Sequence, residues 1–298
     1  MSASATSSAP DAATRSASTT TVDGRITAPA LVDARWLVEH RSGVTVIDTR
    51  SAAAFATGHL PGARSLPLDA LLVDDSSRPA ISRLAAATRA VLASRGIAPD
   101  DHVVLIDDCD GSAALGAAIC ELAGMRRVTV VQGSGIDSWR AIGETLTADT
   151  TEFTPVPPAD WAETTDRTTT IAAFEDLVDA VVEGRARVID TRSQLEHEGI
   201  IGAPCCAGRG AIAGSVHVEW TQLFDMFGAP RSTEYVRELL DQVGISTDDP
   251  VVVTCHAGHR AAIAARVLRS VGMRDVRVSL GSWHEWSLRG LGEDVDEG

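Results

Sequence analysis

Cys255 closes a β-branched run, Val251-Val-Val-Thr-Cys255, and is followed by His256-Ala-Gly-His-Arg260 and then an Ala-rich helical pattern. A thiol placed where a strand ends and a helix begins is positioned for nucleophilic chemistry, provided that it loses its proton. The thiolate is the nucleophile, and an unperturbed cysteine, with a pKa of about 8.5, is mostly protonated at neutral pH. A short loop entering a helix turns successive backbone N–H groups inward and adds the positive end of the helix dipole. Gly258 permits the tight path, and Arg260, with His256 or His259, adds charge. The expectation is a lowered pKa for Cys255 and a cradle of amides, His256, Ala257, Gly258, His259 and Arg260, for an anionic group carried on its sulfur. Four residues separate Cys255 from Arg260. A cysteine-dependent phosphatase loop is one residue longer, because a phosphate with its oxygens needs a wider cradle than a lone sulfur.

The elements that must hold this loop alternate between strand and helix patterns. Leu31, Ala34, Leu37 and Val38 share one helical face, with Thr27 as a candidate cap. Val44–Arg50 reads as a buried strand, Gly58-His-Leu-Pro-Gly62 as a turn, His102–Ile106 as a second strand, Ala113–Ala123 as a helix and Val128–Val131 as a third strand. Such alternation predicts an α/β fold with a parallel sheet.

The same order then recurs. Val46-Ile-Asp-Thr-Arg50 returns letter for letter as Val188-Ile-Asp-Thr-Arg192, Gly58 and Gly62 correspond to Gly210 and Gly214, and Val103–Asp107 corresponds to Val251–Cys255. The chain is therefore a tandem duplication, with a first unit over 26–143 and a second over 169–298. Residues 144–168, rich in Thr, Pro and acidic residues, suit a linker, and residues 1–25, nearly all Ser, Thr and Ala, read as a disordered tail. The second copy carries a longer stretch between Arg192 and Gly210, containing Cys205, Cys206 and Arg209, where an α/β unit builds its pocket. In the first copy, Asp107 stands where the second has Cys255, with Asp108 and Asp110 close by. That surrounding repels anions and lacks the thiol, so one copy is expected to be catalytic and the other structural.

A formal net charge of −15 argues against nucleic acid or an anionic membrane as the main partner. The five cysteines have no C-x2-C or Cys/His ligand spacing, so neither a disulfide framework nor a metal site is expected, and a reducing cytoplasm fits best. Cys109 among three Asp, and Cys120 on an Ala-rich helix, are expected to be inert; Cys205 and Cys206 read as an incidental pair. No apolar run reaches the roughly 18 residues that a membrane span needs.

The duplicated α/β halves, the Asp/Cys asymmetry, the Cys255–Arg260 loop and Gly281-Ser-Trp-His-Glu-Trp286 together resemble the rhodanese family of two-domain sulfurtransferases, over about residues 26–292. The resemblance implies two tandem rhodanese-like domains. It also implies that Cys255 takes a sulfane sulfur from a small anionic donor, thiosulfate or 3-mercaptopyruvate, and hands it as a persulfide to cyanide or a thiol, including a thioredoxin-like one. A non-enzymatic persulfide carrier needs the same thiolate. No metal or organic cofactor is required, since the reaction is exchange at sulfur. By the same resemblance Arg192 is a substrate-side arginine, Trp220 and Trp283 are aromatic residues near the pocket, and Asp190 supports the loop by accepting hydrogen bonds. Two positions depart from the family pattern: Gly210-Ala-Ile-Ala-Gly214 replaces its G-H-I-P-G turn, and Glu196 stands where a second substrate-side arginine often falls, a role open to Arg209. The loop matches neither the thiosulfate form nor the mercaptopyruvate form of the family's signature.

Overall fold

The computed structural model describes residues 21–22, 25–26, 29–161, 170–226 and 228–291. Two short strands, β1 (Thr21–Val22) and β2 (Arg25–Ile26), pair antiparallel ahead of the first domain. That domain runs β3 (Leu31–Val32), α1 (Ala34–His40), β4 (Thr45–Asp48), α2 (Ala52–Thr57), β5 (Arg64–Ser65), α3 (Arg78–Ser94), β6 (His102–Ile106), α4 (Ser112–Leu122), β7 (Arg127–Val131) and α5 (Gly135–Ala141). The second runs β8 (Ile171–Ala172), α6 (Phe174–Glu183), β9 (Arg187–Asp190), α7 (Gln194–His197), β10 (Val216–His217), α8 (Thr233–Gln242), β11 (Val251–Thr254), α9 (His259–Ser270), β12 (Val276–Ser279) and α10 (Ser282–Leu288).

Each domain holds one five-stranded sheet, all parallel, in the orders β3-β7-β6-β4-β5 and β8-β12-β11-β9-β10. Both sheets are therefore the same fold, an α/β unit with helices on its faces, and the expected fold class holds. Two strands in each sheet are only two residues long, too short to leave a periodic signal; the sequence revealed only the longer ones. Leu31 was expected on a helix, but it pairs with Val130 as a strand residue, and the helix starts behind Asp33, whose side chain caps Trp36 N at 2.8 Å. The expected cap, Thr27, lies outside the described residues. Much of the linker is not free chain. Val156 N bonds Ala93 O, and Trp161 is buried in the first domain with its Nε1 on Ile97 O at 3.2 Å.

The central strands are β-branched because both their faces are covered. Val251, Val252 and Val253 are fully buried, each contributing about 1.5–3 kcal/mol by its burial. Strands β9 and β11 are neighbours whose onward connections run in opposite directions across the sheet, which opens a crevice at their carboxyl ends. Cys255 directly follows β11, at that carboxyl end. The domains share a core, in which Ala114, Leu115 and Ala118 of α4 join Ala261, Ala262 and Ala265 of α9. Small side chains on both helices let the two backbones come close, and this brings the two strand-to-helix loops face to face.

Candidate active site

The loop after β11 is shaped by its neighbours on α10. Cys255 N donates to Ser282 Oγ at 3.1 Å, Cys255 O accepts from Trp283 N at 3.0 Å, and His256 O accepts from His284 N at 2.9 Å. Gly258 adopts a left-handed conformation, φ +87°, and a Cβ there would come within 3.0 Å of Leu280 O, so no other residue fits without displacement. Its N–H, which opens α9, donates to Cys255 Sγ at 3.1 Å. Cys255 is 1% exposed. The sulfur thus lies buried at a helix N-terminus, in contact with an amide.

The first domain shows what this loop does with an anion in place. Asp107 Oδ1 accepts from Cys109 N at 3.0 Å, and Oδ2 accepts from Gly111 N at 3.1 Å and Ala113 N at 3.0 Å. Three amides therefore converge on a carboxylate at the place where the second domain has Cys255. Burial pushes the Asp107 carboxyl up to about 6, against the pull of these amides and with Asp110 adding to the rise. Gly111 and Gly258 are the left-handed residues that precede α4 and α9, so the first loop is one residue longer than its partner.

The charges around Cys255 are committed to one another. Arg260 holds Glu196 through both guanidinium Nη atoms, at 2.6 and 2.9 Å. Burial works against both ions, but the pairing prevails: Glu196 is held down to about 2 and Arg260 is raised. The position where the family often has a second substrate-side arginine therefore carries the counter-ion of Arg260. His256, expected to add positive charge, is pushed toward its uncharged form by burial and by Arg260. His259 turns out of the site, its ring nitrogens against Ala257 O and, across the domain boundary, Leu68 O at 3.1 Å.

Several expected residues serve other purposes. Asp190 does not reach the loop of Cys255; it accepts from the Arg192 backbone and guanidinium and from His197 Nδ1 at 2.9 Å. Those bonds outweigh its burial and hold the carboxylate well below its usual range. Arg192 is buried and donates to Asp190 and to Gly210 O at 2.7 Å, and Arg50 makes the same set with Asp48 and Gly58 O. A bond set common to both domains gives Arg192 a framework role. Trp283 is buried at 2% exposure in the core, under Arg192 with the guanidinium 4.8 Å from its ring. Trp220 packs on the edge of Phe224, and Arg209 is exposed, lying along Gly202. Burial pushes the Cys120 thiol up to about 12, and burial together with Asp107 and Asp110 raises Cys109, so both are poor nucleophiles. Sequence reasoning does not find the roles of Ser282 and Glu196: Ser282 lies within the Gly281–Trp286 stretch beside the more conspicuous Trp283, and Glu196 stands out only as a departure from the family pattern.

The family model described as the rhodanese-like domain matches twice, over residues 33–142 and 173–289. The chain belongs to the rhodanese family. Two curated relatives span nearly its whole length: the 3-mercaptopyruvate sulfurtransferase of Escherichia coli K12, 25% identical over 87% of this chain and 95% of its own, and the thiosulfate sulfurtransferase of Pseudomonas aeruginosa, 27% identical over 81% and 87%. Among solved structures, the Escherichia coli 3-mercaptopyruvate enzyme SseA superimposes with a TM-score of 0.66 at 23% identity, over 85% of this chain and 98% of that one. The rhodanese likeness thus extends through both domains. No helix among the described residues is long and apolar enough to cross a membrane.

Proposed function

We propose that this rhodanese is a sulfurtransferase that carries sulfane sulfur on Cys255, taking it from a small anionic donor and passing it to cyanide or a thiol in a reducing cytoplasm. The observation that carries this reading is the internal comparison. The loop that wraps three amides around the Asp107 carboxylate recurs with a cysteine at its centre, and the Gly258 amide touches the sulfur. With thiosulfate, the Cys255 thiolate attacks the outer sulfur, the S–S bond of the donor breaks, and sulfite leaves with the electron pair. The outer sulfur of the resulting persulfide is an anion one atom beyond Sγ, where the loop amides stabilise it. Cyanide then attacks that sulfur, the persulfide bond breaks, thiocyanate departs and the thiolate returns. No step needs a change in oxidation state from outside.

Arg260, which a phosphatase would turn onto its phosphate, is held by Glu196, a further reason to favour sulfur as cargo. The test is a panel of thiosulfate and 3-mercaptopyruvate with cyanide and a dithiol as acceptors. Mass spectrometry is expected to find one added sulfur on Cys255 after donor, removed by acceptor, and Cys255→Ala is expected to abolish both loading and turnover. Turnover that survives in Cys255→Ala would overturn the mechanism. Loading that no acceptor discharges would point to a carrier instead of an enzyme.

A further inference from the structure

Beside the sulfur-carrying loop the fold collects four ligand-type side chains from three places in the chain. Cys205 and Cys206 come from the stretch peculiar to the second domain, His256 follows Cys255, and His284 is on α10; their donor atoms all lie within 4.8 Å of one another. Spacing along the sequence conceals this group, because folding alone unites its members. Tetrahedral zinc with two sulfur and two nitrogen ligands, at bond lengths of about 2.3 and 2.0–2.1 Å, places neighbouring donors roughly 3.3–3.8 Å apart. Cys205 Sγ and His256 Nε2 are already 3.2 Å apart. The two imidazoles stand nearly perpendicular, at 83° with centroids 5.9 Å apart, as two rings can around one ion.

The second observation comes from His284, which is 4% exposed. Its Nε2 is engaged by Asp74 Oδ1 at 2.7 Å, and its Nδ1 is buried with no hydrogen-bond partner. A buried nitrogen without a partner is costly unless something occupies its lone pair. An imidazole held through one nitrogen by a carboxylate, with the other left for an ion, is how metal-binding histidines are oriented. Two thiolates also balance the charge of a divalent ion, and an S2N2 tetrahedron is diagnostic of zinc.

We propose that Cys205, Cys206, His256 and His284 form a closed tetrahedral zinc site, which fastens the added stretch of the second domain to the loop carrying Cys255. All four positions are filled by protein, so the ion is structural and leaves no open place for substrate. Asp74 is a positioning residue contributed by the first domain. The first domain thus reaches the site only through the bond of Asp74 to His284.

The test uses the full chain, reduced and stripped with a chelator, titrated with cobalt(II) and then back-titrated with zinc(II). One cobalt per chain is expected, with the intense visible bands of a tetrahedral site and a thiolate charge-transfer band, displaced by zinc. Cys255→Ala is expected to bind unchanged, which separates this site from the sulfur chemistry. Cys205→Ser, at an exposed position that tolerates the change, and Cys206→Ser should each weaken the charge-transfer band, and the double variant should lose it, all while keeping the wild-type circular dichroism. Asp74→Asn should weaken binding about 10- to 100-fold with the same spectrum. Octahedral spectra, binding that persists in Cys205→Ser/Cys206→Ser, loss of binding in Cys255→Ala, or a Cys205–Cys206 disulfide in reducing buffer would each overturn the proposal, whether or not Cys255 loads with sulfur.

Discussion

At the scale of single residues, the site is notable for how much of its charge is committed internally. Arg192 is bound to Asp190 and Arg260 to Glu196, so an anionic donor meets amides and a helix terminus more than free cations. Removing the Glu196 charge should free Arg260 for the donor. Glu196→Gln is expected to lower KM for thiosulfate about two- to fivefold, the range of a partly exposed ion pair, with kcat little changed. A raised KM would instead mean that Glu196 holds Arg260 where the loop needs it. Because Glu196 is held down to about 2, the pair is lost only as pH falls through that value, so it imposes no pH dependence on KM between pH 5 and 9. Cys255 itself was legible in the sequence as a thiol between strand and helix. Its supports were not, since Ser282 and Glu196 are distant in the chain and owe their roles to packing.

At the scale of elements, the longer strands and helices showed in the sequence because buried β-branched runs and Ala-rich faces repeat over enough residues to form a pattern. The two-residue strands β3 and β8 at the sheet margins gave no such signal, and Leu31 was misplaced for that reason. The junction of β6 and β7 carries a pH-sensitive pair that sequence alone could not have shown. His102 Nε2 donates to Thr129 Oγ1 at 2.9 Å, while Arg127 faces its Nδ1, so the ring is built into the sheet as a neutral group. Burial, with Arg127 and His40 adding to it, lowers His102 to about 4. Between pH 6.5 and 4 the unfolded chain takes up a proton that the folded one refuses, so stability falls as pH drops across that window, by on the order of 3 kcal/mol in total. His102→Gln keeps the bond to Thr129 and is expected to flatten the decline of Tm from pH 6.5 to 4. An unchanged slope would assign the acid sensitivity elsewhere.

At the scale of the whole molecule, the two domains are joined through buried polar contacts as well as the α4–α9 core. Glu285, fully buried on α10, accepts from Ser76 N and Oγ in the first domain and from Arg289. Arg266 of α9 reaches Glu121 of α4 at 2.7 Å. A single cooperative unfolding transition is expected, and Glu285→Ala should lower stability by about 3 kcal/mol without splitting it, since it leaves the amide and hydroxyl of buried Ser76 without their acceptor. Two separated calorimetric transitions in the parent chain would show that the domains melt independently. The Asp107 loop has one more consequence, for stoichiometry. A carboxylate tethered by its own backbone is a resident occupant at effectively unlimited local concentration, so no dissolved anion displaces it. The protein should therefore titrate as monovalent despite its duplicated architecture: equilibrium dialysis with labelled thiosulfate is expected to saturate at one sulfur per chain, never two.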